Sequence, residues 1–341
     1  MSALAAPVTI AATLPHSRGP LSEAVLDVLA GCRASSDLSE HSLAATSDPF
    51  GDDLQLALYA CYELHYRSFA GVDDALEWDP DLLRFRATLE RPFLAALRAG
   101  VAGGDDVDGA LDALLVEPLD GNGPSYHLAE GGEHWQLREY VAHRSIYHLK
   151  EADPQAWVIP RLDGQAKASL VTVEHDEYGA GRGERLHAAL FAEMMVELDL
   201  DPAYGHYLDV VPAVTLATVN AMSHFGLHRS LRGALVGQFA SVEITSSPGS
   251  ARMARAVQRL LGDREAATRF YTEHIEADAV HEQVVRAGVI TDLLARNPEL
   301  APDVVFGIQA DALLEDRLAA HLVTRWCAGQ TSLLEPLAST G

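Results

Sequence analysis

After the first twenty residues helical signals dominate this chain, and few segments alternate with a period of two. That pattern nearly decides the fold class, because a side-chain period near 3.6 is the helical one and strands need a period of two. Ala, Leu, Glu and Arg, all good helix formers, are abundant, and aromatic residues make up only 7%. The segments "DDLQLALYACYELHYRSFA" (52–70) and "DPDLLRFRATLERPFLAALRAGV" (79–101) read as helices. So does "EHWQLREYVAHRSIYHLKEA" (133–152), stopped by Asp153-Pro154. Residues 165–198 are helical at both ends with three glycines between. Residues 213–227, 232–244 and 249–262 are separate helices, the stretch from 271 continues to about 294, and a last helix covers about 302–327. The expected class is all-α.

Residues 1–20 read as a flexible tail. Glycines and aspartates at 102–109 mark a break, and "EPLDGNGPS" (117–125) is a clearer loop. That loop divides an N-terminal helical extension, 21–125, from a main helical domain, 126–330, with 331–341 as a second tail. At 341 residues and 48% hydrophobic, the chain can bury a sizeable core. Its formal net charge of −24 argues against nucleic acid and against an anionic membrane surface, which both need basic patches. Carboxylates that hold cations would account for part of that excess. Cys32, Cys61 and Cys327 form no CxxC, which disfavours a disulfide framework or a thiolate zinc site. The N-terminus lacks a basic residue before its apolar part, and no run of about 18 apolar residues occurs. A cytoplasmic protein is expected.

One stretch stands out chemically. "YTEHIEADAVHEQV" (271–284) holds His274, Asp278 and His281, whose offsets of four and seven bring them within roughly 40° of one helical face. This is either a metal-binding stripe or a solvated polar face, and other ligands must decide. A pair of oxygen-reactive ions needs about six mixed carboxylate and imidazole donors. Glu177 and His187 lie ten residues apart, roughly 80° on an ideal helix. The intervening Gly179, Gly181 and Gly183 make a local distortion plausible. Glu151 falls in the last turn of its helix, where a carboxylate opposes the dipole unless a cation is nearby. Glu174 and Asp176 are the nearest competitors of Glu177, and a slip of three residues would put Glu174 on a similar face. Glu243 interrupts an apolar helix, so it reaches solvent, has a partner or lines a substrate pocket. Arg182, beside the glycines, is a candidate anchor for a substrate carboxylate.

"LKEADP", "DEYGAGRGERLH" and "HIEADAVH" together resemble the ligand pattern of the haem-oxygenase-like dimetal oxidases and oxygenases, often described as iron-containing redox enzymes. In that pattern a Glu lies on the first core helix, a Glu followed ten residues later by a His on the second, and H-x3-D-x2-H on the third. The matching residues are Glu151, Glu177 with His187, and His274, Asp278 and His281. The pattern spans about 133–294, and "CYELHYRSFAGVDDALEWDP" (61–80) resembles the N-terminal extension of longer members.

The resemblance implies a haem-oxygenase-like helical bundle that binds two iron ions, with manganese as an alternative metal, and uses O2 as co-substrate. It implies an external electron donor and a small-molecule substrate, and leaves homodimerisation open. Members either oxygenate amine nitrogen or desaturate and fragment aliphatic acids and amino acids. By analogy, the complete set of three carboxylates and three imidazoles tilts toward N-oxygenation of an amine- or amino-acid-type metabolite. Two other readings compete. "DDALE" (73–77) evokes the aspartate-rich motif of class I terpene synthases, but "NAMSHFGLH" lacks the Glu of their second magnesium motif. A non-catalytic helical binding protein would scatter the six ligand residues in space.

Overall fold

The computed structural model describes residues 11–38, 46–117 and 121–338. Helix α1 (Pro20–Leu29) opens on a proline, whose missing N–H costs nothing in a first turn. Helix α2 (Asp52–Glu63) is buried on all sides from Leu54 onward, packed between α1 and a later helix. Helix α3 (Pro80–Ala99) starts where Asp79 accepts hydrogen bonds from the amides of Asp81 and Leu82 at 3.0 and 2.8 Å. Helices α4 (Val107–Leu114) and α5 (Pro124–Glu130) are short. Helix α6 (His134–His148) is held at its start by a reciprocal capping box between Glu133 and Gln136.

Then come α7 (Gly164–Glu177), α8 (His187–Glu197), α9 (Ala213–Leu227) and the long α10 (Arg232–Leu261). Helix α11 (Glu265–Gln283) runs through a π-helical stretch, Val284–Ile290, into α12 (Thr291–Arg296), and α13 (Ala301–Cys327) closes the order. Among the described residues, extended pairing is limited to a bridge between Ala12 and Phe69. The all-α expectation holds.

Helix α10 packs lengthwise against both α11 and α13, and α9 lies on α2. Gly237 and Gly307 make the α10–α13 crossing a close one. A Cβ on Gly237 would strike the Val304 carbonyl, and one on Gly307 the Ala234 carbonyl. A single hydrophobic core runs from Ala12 to Leu333, so the N-terminal helices share it with the rest.

Three sequence expectations need correction. Residues 232–244 and 249–262 are one helix with Pro248 inside it. A helix-interior proline costs about 3 kcal/mol, and burial of Ile244, Met253, Ala256 and Val257 along both halves keeps the helix going. The supposed N-terminal tail is tied down from residue 11. The Ala70 amide donates to the Ala12 carbonyl at 2.8 Å, and Arg18 Nη2 donates to the Leu208 carbonyl at 2.6 Å. Residues 331–338 are also fastened, with the buried Ser332 donating through N and Oγ to Glu139 Oε2 at 2.8 and 2.7 Å. Among the described residues, no helix is long and apolar enough to cross a membrane.

Candidate metal centre

Helix α6 stops at His148, capped by Leu149, so Glu151 lies beyond it on the connecting loop and not in its last turn as expected. Freed from the helix, its carboxylate turns into the bundle, where it is 7% exposed. His148 Nδ1 lies 3.0 Å from Glu151 Oε1. Burial alone would raise the Glu151 pKa, but His148, His274 and His187 outweigh it and hold it at about 2.

Glu177 is the last residue of α7 and His187 the first of α8. Between them Gly179, Ala180 and Gly181 take φ values of 67°, 53° and 78°. Three left-handed residues in a row end a helix. Two of the three glycines therefore serve the backbone directly, and a Cβ on Gly179 would also collide with the Arg185–Leu186 peptide. The helix is broken, not merely distorted. The break removes the 80° offset and brings His187 Nδ1 to 2.6 Å from Glu177 Oε2.

On α11, His274 and His281 are 5% and 2% exposed. Asp278 is part of this helix, but its side chain lies outside the described residues. One ligand atom each from Glu151, Glu177, His187 and His274 falls within a mutual 4.8 Å, and one each from Glu177, Glu243 and His281 does the same. Glu177 belongs to both groups. His274 Nε2 stands 3.9 Å from Glu151 Oε2, while His281 Nδ1 stands 3.0 Å from Glu243 Oε2 and 3.8 Å from Glu177 Oε1. Glu243 was expected in a substrate pocket. It does line the cavity, but it also completes the second ligand group. Its burial in an apolar helix was the signal, and only the fold could supply its partners.

Each of the two α11 imidazoles has an outer partner that can take its N–H. His274 Nδ1 donates to the Phe270 carbonyl at 2.7 Å, which leaves the Nε2 lone pair facing Glu151. His281 Nε2 lies 3.2 Å from Asp176 Oδ2. With its proton there, the Nδ1 lone pair faces Glu243 and Glu177. Lone pairs aimed at buried carboxylates repel, and a cation between them makes the contact attractive. Glu151 Oε2 is buried with no hydrogen-bond partner among the described residues. The donor set fits divalent metal ions, and its mixed oxygen and imidazole character suits iron or manganese.

Glu174, the rival to Glu177, sits one turn earlier and belongs to neither group. It is 2% exposed, and burial followed by Glu177 and Glu243 pushes its pKa up to about 9. His175 is exposed, as is Arg182, which does not line the cavity beside the cluster. That cavity measures about 350 Å³, and Glu151, Glu177, Glu243 and His274 form part of its wall. Tyr140, Arg144, Asp311 and Glu315 contribute further lining. Arg144 grips Glu315 through two bonds of 2.7 and 2.6 Å. Asp311 is buried, accepts from Gln238 Nε2 at 3.1 Å and is pushed up to about 7 by burial and then Glu315. Phe191 and Phe270 close over the imidazoles, with ring centroids 4.9 and 5.0 Å from that of His148.

Elsewhere Glu90, His224 and His228 also cluster at ligand-like spacing. There Arg86 Nε is 3.0 Å from Glu90 Oε1, and Tyr62 donates to the same oxygen at 3.1 Å. The carboxylate charge is met without a metal.

A family model described as iron-containing redox enzyme matches residues 138–316, just over half of the chain. The chain belongs to this family. Its bundle is accordingly haem-oxygenase-like, and the matched span contains all six ligand residues read from the sequence as well as Glu243. Among characterised proteins it is similar to nitrosourea synthase from Streptomyces achromogenes subsp. streptozoticus, at 26% identity over 162 residues. That match covers 47% of this chain and 34% of the synthase, so the chain spans about a third of the length of that relative.

Proposed function

We propose that this protein is a non-haem diiron oxygenase that uses O2 and an external electron donor to oxidise the nitrogen of a small amine- or amino-acid-type metabolite. The observation that carries the reading is the pair of ligand groups sharing Glu177. Glu151, His187 and His274 would hold one iron, and Glu243 and His281 the other, with Glu177 common to both groups and Asp278 the further ligand that the resemblance adds. Four carboxylates balance the charge of two divalent ions, an accounting that Glu243 completes. Nitrogen is favoured as the target because the relative's name, nitrosourea synthase, denotes a product with oxidised nitrogen.

Two irons bound there would supply the electrons with which O2 is reduced beside the substrate. The protein's own part is geometric. Phe270 and Phe191 exclude water around the imidazoles, and the carbonyl of Phe270 and the carboxylate of Asp176 hold the tautomers of His274 and His281. The cavity sets the pose of the substrate against Glu151 and Glu243.

Anaerobic Fe(II) titration of metal-free protein, followed by O2 exposure with a panel of amines and amino acids, tests this. Two irons per chain and an amine product heavier by one or more oxygen atoms are expected. Absence of iron uptake overturns the centre. Iron uptake with desaturated or fragmented products overturns the choice of nitrogen.

A further inference from the structure

Lys150 is 1% exposed and Glu63 fully buried, yet both are charged side chains, with Lys150 Nζ 2.9 Å from Glu63 Oε2. The pair is well supported. Glu63 Oε1 accepts from Tyr204 Oη at 2.6 Å, and Nζ lies 4.8 and 4.4 Å from the ring centroids of Tyr59 and Tyr66. Burial, then the Glu63 charge, raises the Tyr59 and Tyr204 pKa values well above the ordinary range, so both phenols stay neutral. Taking two charges out of water costs several kcal/mol per ion before pairing, and apolar residues of similar volume often stabilise as well or better. What an ion pair adds is a fixed distance and direction.

Lys150 directly precedes Glu151. The two residues follow the end of α6, where the α-helical ladder gives way to single turns: the Lys150 amide donates to the Tyr147 carbonyl and the Asp153 amide to the Lys150 carbonyl, both at 2.8 Å. Lys150 reaches to the N-terminal helix α2, and Glu151 reaches into the first ligand group. Adjacent Cα atoms stand about 3.8 Å apart on a stiff peptide, so a displacement of one passes to the next. The other end of the loop is tied near Glu177, where Tyr178 Oη donates to Asp153 Oδ1 at 3.1 Å. The second group takes Glu243 and His281 from α10 and α11, neither of which contains this loop, and has only Glu177 in common with the first.

We propose that the buried Lys150–Glu63 pair is a positioning device for Glu151, through which the N-terminal helices set the iron affinity of the first ligand group and not that of the second. The inference rests on the diiron reading above. Loss of a residue that orients a metal ligand typically weakens metal binding about 10–100-fold.

The test is anaerobic Fe(II) titration of the whole chain as wild type, Lys150→Met, Glu63→Gln and the double variant Glu63→Gln/Lys150→Met, with helicity and melting followed in parallel. His274→Ala identifies which binding event belongs to the first group. Expected is one iron bound as in wild type and one weakened about 10–100-fold, the weakened event being the one His274→Ala removes. The double variant leaves no unpaired buried charge, so it serves if either single variant fails to fold. Two irons bound at wild-type affinity in the double variant overturn the proposal, as does equal weakening of both. Failure of the wild type to bind two irons is seen separately and removes the diiron reading together with this inference.

Discussion

Glu177 is where the two ligand groups meet, so substitutions there and at the periphery should differ in kind. Glu177→Ala should weaken both irons, whereas His281→Ala should remove one and leave helicity intact. Iron counting with circular dichroism separates these, and two irons retained in His281→Ala would refute its assignment. Asp176 is a subtler case. Its carboxylate is half exposed, yet it receives the outer nitrogen of the buried His281. Asp176→Ala should weaken one iron about 10–100-fold by releasing the ring orientation, and an unchanged titration would show that the contact is idle. Helical spacing makes His274 and His281 legible in the sequence because their ring positions follow from one helix. Glu243 and Asp176 were not legible as parts of the centre. One was marked only as a carboxylate among apolar residues and the other as a competitor of Glu177, because both meet His281 through tertiary packing.

At the level of elements, the break between α7 and α8 does the decisive geometric work. Gly179→Ala places a Cβ against the Arg185–Leu186 peptide at a positive φ, and such strain costs about 1–3 kcal/mol. The substitution should lower the melting temperature of metal-free protein and weaken iron binding to the first group, because it separates Glu177 from His187. Gly183→Ala meets nothing within 4 Å and has no positive φ, so it should be close to neutral. Equal effects of the two would contradict the account. The sequence showed a backbone requirement here but not its form, since glycine marks conformational freedom without saying which angles are taken. Proline misled in the opposite direction. Pro248 reads as a boundary, yet α10 continues through it because buried residues on both halves outweigh the local cost.

Among the described residues, buried apolar side chains from both sides of the expected boundary at 117–125 belong to one core. Composition reports a loop there, but burial across the loop depends on which distant helices meet. Buried charge also shapes global stability. Asp311 titrates at about 7 in the folded protein against an ordinary value of 3.8, because burial disfavours its charged form. Between those values the folded state keeps a proton that the unfolded chain has lost, so this group makes stability fall as pH rises through the window. Asp311→Asn should flatten that part of the slope in denaturant unfolding of metal-free protein between about pH 4 and 7, and an identical slope would place the charge elsewhere.

Asp311 belongs to α13, which lines the cavity through Asp311, Glu315, Asp316 and Ala319 yet supplies none of the residues grouped around Glu177. Part of the cavity wall thus comes from a stretch of chain outside the candidate ligand groups. Under the proposed function, a lineage could drift along α13, exchanging groups of the cavity wall while the candidate ligands stay intact. Such a division lets one scaffold acquire new chemistries by small steps, and it tells a protein engineer where to begin a library.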